Sequence, residues 1–244
     1  MGRSWRLLVF QHIECEHPGS LREGLRADGV DCTVVELDAG DAIPPLEDHD
    51  ALWVMGGPMN VWDTGEHPWL VAEKQAIRRW VGELERPFLG LCLGHQLLAD
   101  ALGGACGPQR PPEIGVMEVQ LTAAGRADPV FDKMPARQRV LQWHSVQVVN
   151  PPPAAVVLAE SPGCPNQAMR VGPRAWSMQY HVEVEPTTVR NWAAVPAYRR
   201  ALEAELGPDA LDRMAADADR NLDDFATSAA HLYRNFVTAA GLGI

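Results

Sequence analysis

The chain has 244 residues, 46% hydrophobic and 22% charged, which is enough for one sizeable core and ordinary for a globular protein. Its formal net charge of −11 argues against nucleic acid or an anionic membrane as a partner, and no apolar run approaches the roughly 20 residues that span a bilayer. Five cysteines (15, 32, 92, 106 and 164) form no Cys-x-x-Cys pair and the histidines no His-x-x-x-His pair, so neither a metal, a cofactor nor a disulfide framework is implied, and a reducing, cytoplasmic setting is expected.

Residues 6–10 read as a buried strand, and residues 20–26 as a short helix with Ser20 as its N-cap and Glu23 three residues on. Residues 32–37 form a β-branched strand, and the Asp-, Gly- and Pro-rich stretch 38–50 a connection. A third strand at 51–55 runs into Gly56-Gly57-Pro58. Over 69–84 the apolar positions Leu70, Ala72, Ile77, Trp80, Val81 and Leu84 form a helical stripe. Residues 87–92 make a fourth strand and 93–102 a helix stopped by Gly103-Gly104. This alternation predicts an α/β fold with a mostly parallel central sheet flanked by helices.

From Ile114 the texture changes to short alternating strands at 116–121, 140–144, 146–149, 155–159, 167–171 and 175–180, a smaller and partly antiparallel β portion. Four helical segments follow, at 187–194, 197–206, 208–219 and 222–240. The organisation expected is an α/β domain over 1–186 with a helical C-terminal extension, 187–244, packed on it. The acidic run between Asp217 and Asp224 reads as a solvated helix face.

Gly90-Leu91-Cys92-Leu93-Gly94-His95-Gln96 has the layout of a nucleophile elbow, in which a sharp strand-to-helix turn lifts a reactive side chain above the sheet. The N-terminus of the new helix favours negative charge there. By itself the stretch leaves a buried core cysteine equally open. A cysteine nucleophile needs a base and something to orient it. His181 and Glu183, two apart on an extended segment, face the same side and supply both, with Glu185 as the competing carboxylate. Donors for a developing oxyanion are the backbone N–H groups of Leu93, directly after Cys92, and of Gly57 at a neighbouring strand end.

Gly90-Leu91-Cys92-Leu93-Gly94-His95-Gln96 resembles the G-x-C-x-G-x-Q signature of class I (triad-type) glutamine amidotransferases. Gln179-Tyr180-His181-Val182-Glu183 is similar to that family's Q-[FY]-H-P-E segment, Gly56-Gly57-Pro58 to its oxyanion loop, and Trp143-His144-Ser145 to its H-S element. The resemblance implies flavodoxin-like layering, a Cys92–His181–Glu183 triad, Gln96 on the glutamine, and His144 and Ser145 at the substrate's α-amino and carboxylate end, largely through backbone. Cys92 would attack a γ-glutamyl amide, and glutamate would leave by way of a thioester. Val182 replaces the usual proline, and His144-Ser145-Val146 departs from the H-S-D of the nucleotide-making branch. The chain therefore resembles the free-standing, GMP synthase-like branch, which also includes γ-glutamyl peptidases. Three readings stand. One is a glutaminase whose ammonia goes to a separate synthetase subunit. The others are a hydrolase of γ-glutamyl peptides or conjugates, and a non-catalytic regulatory or binding protein of the same fold.

Overall fold

The computed structural model describes residues 5–243. Among the described residues nine strands form one sheet, in the order β2-β1-β3-β4-β9-β8-β7-β5-β6. Its first five members are β1 (Arg6–Gln11), β2 (Asp31–Glu36), β3 (Ala51–Val54), β4 (Phe88–Leu91) and β9 (Ala175–Met178), and all pair in parallel. The rest, β5 (Ala105–Leu121), β6 (Arg137–Asn150), β7 (Ala155–Glu160) and β8 (Ala168–Val171), pair antiparallel. The expected strands 140–144 and 146–149 are one continuous strand, β6. Its partner β5 starts well before residue 116, and together they make a long ribbon.

Apart from the exposed edge strand β2, the parallel strands are buried on both faces, so they read as continuous apolar runs whose alternate residues serve different layers. Leu8, Phe10, Leu52, Val54 and Phe88 face α2 (Trp69–Gly82) and α3 (Leu93–Ala101). Leu7, Val9, Trp53, Leu89 and Trp176 face the other way, where α1 (Arg22–Ala27) is too short to cover them. The last helix, α8 (Leu222–Ala240), covers that face, with Phe236 edge-on to Trp53 and Trp176 at 5.9 Å each. Past the short α4 (Ala123–Ala127), which follows β5, the helices α5 (Thr188–Ala193), α6 (Pro196–Leu206) and α7 (Ala210–Arg220) form a separate cluster with Ile114, Leu141 and Trp143. Among the described residues no helix is long and apolar enough to cross a membrane.

Two local readings are corrected. Ser20 caps no helix: it lies inside a 3₁₀ turn, Gly19–Leu21, and its N–H donates to the Glu183 carbonyl at 3.0 Å. In α2, Ala72 is exposed and Glu73 is buried with Leu70, Ile77 and Trp80, so a carboxylate occupies a core-facing position of the stripe. The helix turns Glu73 inward because a buried partner, His12, is waiting for it.

Candidate active site

The site lies where β3, β4 and β9 end side by side. Val54 pairs with Gly90 and Leu91 with Met178, so the β3–α2 loop, Cys92 and the segment leading to His181 share one sheet edge. This is the carboxyl edge at which open α/β sheets hold their sites. Cys92 follows β4 with φ 51° and ψ −103°, a conformation strained for a residue with a side chain, and its N–H donates to Met178 O at 2.8 Å. The turn closes because Gly94 lies against β3: a Cβ there would meet the Val54 carbonyl oxygen at 2.1 Å. Leu93 opens α3, so its N–H has no acceptor one turn back. Gly57 packs beside it, where a Cβ would come within 2.9 Å of the Leu93 side chain.

His181 and Glu183 are brought to Cys92 from across the chain. The His181 backbone is pinned to β6 by a pair of hydrogen bonds with Leu141, at 2.9 and 3.0 Å. Its Nδ1–H donates to Glu183 Oε1 at 2.5 Å, and its side chain also hydrogen-bonds Cys92. Burial would lower the His181 pKa, but the Glu183 carboxylate and the Cys92 sulfur raise it well above the usual histidine value. Val182 keeps a backbone N–H that proline lacks, and that N–H donates to Glu183 Oε2 at 2.9 Å, so both carboxylate oxygens are held. Glu185 points elsewhere, to Arg22 at 2.8 Å.

Trp192 of α5 stands edge-on to the His181 ring at 4.5 Å, and Trp143 and Tyr198 pack on Trp192. The Tyr198 hydroxyl donates to the buried Glu16 at 2.5 Å. Burial pushes the Glu16 carboxyl up, although His181 and Tyr198 favour its charged form. Ala197, Tyr198 and Ala201 of α6 then roof a cavity of about 210 Å³ that reaches Cys92, Gln96, Gly57 and Ser145.

Gln96 is buried and spends its amide N–H groups on Val146 O (3.2 Å) and Gln179 Oε1 (3.1 Å), while Gln179 donates to Cys92 Sγ at 3.7 Å. His144 lines the cavity, with both ring nitrogens engaged by other groups of the protein. Its Nδ1–H donates to Val146 O at 2.9 Å, and its Nε2 lies 3.0 Å from Glu113 Oε2, directly across the β5–β6 ribbon. Ser145 is exposed at the cavity wall. His95, inside the signature, turns away from the site: its Nε2–H donates to Asn166 O and its Nδ1 accepts from Ser177, and burial lowers its pKa to about 3.

The sequence reading passed over His12, Glu16, Glu73, Glu113, Trp192 and Tyr198. Glu73 carried one legible signal, a charged residue at a stripe position. The others depend on contacts between distant segments and left no local trace.

The family model for class-I glutamine amidotransferases matches residues 13–192. The chain belongs to that family. A glutamine amidotransferase-like protein of Salmonella typhimurium is 34% identical over 176 residues, covering 70% of this chain and 73% of that one. A glutamine-hydrolyzing GMP synthase of Aeropyrum pernix is 36% identical over 165 residues, 65% of this chain and 30% of that protein, so the match spans less than a third of that relative. Among solved structures, a glutamine amidotransferase of Thermotoga maritima superposes with a TM-score of 0.84 at 26% identity, covering 98% of this chain and 99% of that one. A glutamine amido transferase of Methylobacillus flagellatus gives 0.86 at 25% identity, with 97% and 96% covered. Those superpositions extend over the C-terminal helices, beyond the matched family region.

Proposed function

We propose that this amidotransferase hydrolyses the γ-carboxamide of glutamine through a Cys92 thioester. The observation that carries the reading is His181, held between Glu183 and the sulfur of a cysteine at a strained strand-to-helix turn. An imidazolium beside a sulfur favours the thiolate. The thiolate attacks the amide carbon, and the oxyanion accepts the N–H groups of Gly57 and Leu93. His181 passes its proton to the departing nitrogen, the C–N bond breaks and ammonia leaves. A water then gives a proton to His181 and attacks the thioester, which restores Cys92 and releases glutamate. Both Gln96 N–H groups are committed to Val146 and Gln179, so its free group toward substrate is the Oε1 acceptor, suited to an α-ammonium. His144 acts by holding the backbone around Ser145 and Val146.

Trp192 and Tyr198 close the space over His181, which favours a leaving group the size of ammonia. One observation favours a second substrate class. At Asn60, Ser145 and Val146 the cavity adjoins a groove of about 550 Å³ floored by Trp62, Arg110 and Pro111, with room for the rest of a γ-glutamyl peptide. Assaying glutamine against γ-glutamyl peptides while following ammonia and glutamate together separates the two. Equal ammonia and glutamate from glutamine is expected; glutamate without ammonia, from peptides only, overturns the glutaminase reading. Ammonia release that needs an added synthetase would make the chain one half of a two-protein enzyme, a division consistent with a relative of Pyrococcus abyssi that is named as one subunit of a glutamine-hydrolyzing GMP synthase.

A further inference from the structure

A second histidine–glutamate pair lies behind the Gly56-Gly57 loop, apart from the triad. His12 sits just past β1 and Glu73 in the first turns of α2; both are fully buried. His12 Nδ1 is 2.7 Å from the Gly56 carbonyl oxygen and Nε2 is 2.8 Å from Glu73 Oε1. A carbonyl only accepts, so Nδ1 carries a proton and donates to Gly56. Trp69, one helical turn before Glu73 on the same face of α2, stacks on the imidazole at 5.5 Å and 15° and stops it rotating.

The consequence falls on the next N–H. The Gly56–Gly57 peptide is trans, so the Gly56 carbonyl and the Gly57 N–H point in opposite directions across one rigid plane. With the carbonyl drawn inward onto His12, the Gly57 N–H faces the opposite way, away from His12, and Gly57 lines the cavity that Cys92 also lines. A side chain on either glycine would have to push a neighbouring side chain aside. A Cβ on Gly56 would lie 2.5 Å from Glu16 Oε2, and one on Gly57 would lie 3.0 Å from the His12 Cβ. The loop is flexible by composition and rigid by its surroundings.

We propose that His12 and Glu73 are positioning residues that lock the Gly56–Gly57 peptide plane, committing the Gly57 N–H to the oxyanion before substrate arrives and without a second protein. The proposal rests on the thioester reading above and adds how its oxyanion donor is held. Catalysis gains from a donor that need not reorient as charge develops. The dyad touches no reacting atom, so its loss should appear in kcat and leave KM nearly unchanged. With Nδ1 donating to Gly56, Nε2 meets the Glu73 carboxylate as a second donor, so Glu73 holds the ring doubly protonated and in one orientation.

The test compares His12→Ala, His12→Asn and Glu73→Gln in the full chain, acting alone on glutamine and γ-glutamyl peptides. Removing an oxyanion donor outright costs about 10²- to 10³-fold in kcat, so freeing one to wobble should cost about 10- to 100-fold. The expected result is that loss for His12→Ala with KM within about threefold, and partial rescue by His12→Asn, whose amide can still donate to Gly56. An unchanged kcat for His12→Ala overturns the proposal, as does a parallel loss of folding and KM with no rescue. A crystal structure of His12→Ala gives a readout independent of turnover. A rotated or disordered Gly56–Gly57 peptide supports the lock, and an unmoved one overturns it. If the wild-type chain turns over neither substrate class, the functional reading falls, while the peptide plane still decides the dyad.

Discussion

Cys92 stands between two buried histidine–glutamate pairs that are alike in composition and differ in the histidine's other partner. In both, burial would lower the imidazole pKa and a glutamate raises it. The other interaction of His181 is with the Cys92 sulfur, and that of His12 is with the Gly56 carbonyl. A sulfur can exchange a proton with the ring, whereas a carbonyl can only be held by it. In the proposed mechanism the same kind of pair therefore serves proton transfer on one side of Cys92 and geometry on the other. His144 and Glu113, holding Val146 O, belong with the second kind.

Substitutions can break this comparison at several levels. Cys92→Ala should lower glutamate release by about 10³-fold or more, measured by product formation. Cys92→Gly should be equally inactive yet more stable to denaturant than Cys92→Ala, by about 1 kcal/mol, because glycine accepts the positive φ. Equal stability of the two would mean the elbow is unstrained.

Glu183→Gln should reduce kcat by about 10²- to 10⁴-fold, as for a histidine that loses its orienting carboxylate, whereas Glu185→Gln should change it by no more than a few fold. It should also move the alkaline limb of the kcat/KM profile to lower pH, since Glu183 helps keep the His181 proton on the ring. A limb that stays in place would remove Glu183 from the triad. Iodoacetamide should label Cys92 first, because burial pushes the thiol of Cys15 up to about 11 and those of Cys106 and Cys164 up to about 12, and partial burial with the neighbouring Asp31 raises that of the exposed Cys32.

The His12 pair makes a smaller claim, readable in stability. Its folded-state pKa is raised, so its contribution is fully present below the unfolded value of about 6.5 and is lost as pH rises through the folded value. The stability gap between wild type and His12→Asn, measured by urea unfolding, should be widest in mild acid and narrow in alkali. A gap that widens with pH would show that His12 is buried uncharged. Tyr198→Phe, which removes only the hydroxyl on Glu16, should cost activity by about 10-fold or less and test whether the roof needs that bond.

Much of the α/β half was legible because its signals are local. Strands buried on both faces are unbroken apolar runs, and the elbow is seven consecutive residues. Short-range signals misled where a long-range contact competed with them. Ser20 looked like a cap, but its N–H serves Glu183. Ala72 fitted an apolar stripe, but His12 draws Glu73 inward. The antiparallel half was read as shorter pieces, because the continuity of β6 depends on pairing along its length with β5.

By itself the sequence determined the parallel α/β frame, the turn that carries Cys92, and His181 and Glu183 placed two apart, all of which follow from neighbours along the chain. Tertiary structure alone decided that β9 lies beside β4, which brings residues 92 and 181 into contact. It also decided that α6 roofs the cavity, backed by Trp192 of α5, while α8 seals the far face of the sheet. Only there do His12, Glu16, Glu73 and Glu113 acquire meaning, because a buried polar side chain is defined by the partner that satisfies it. Those partners lie 31 to 182 residues away.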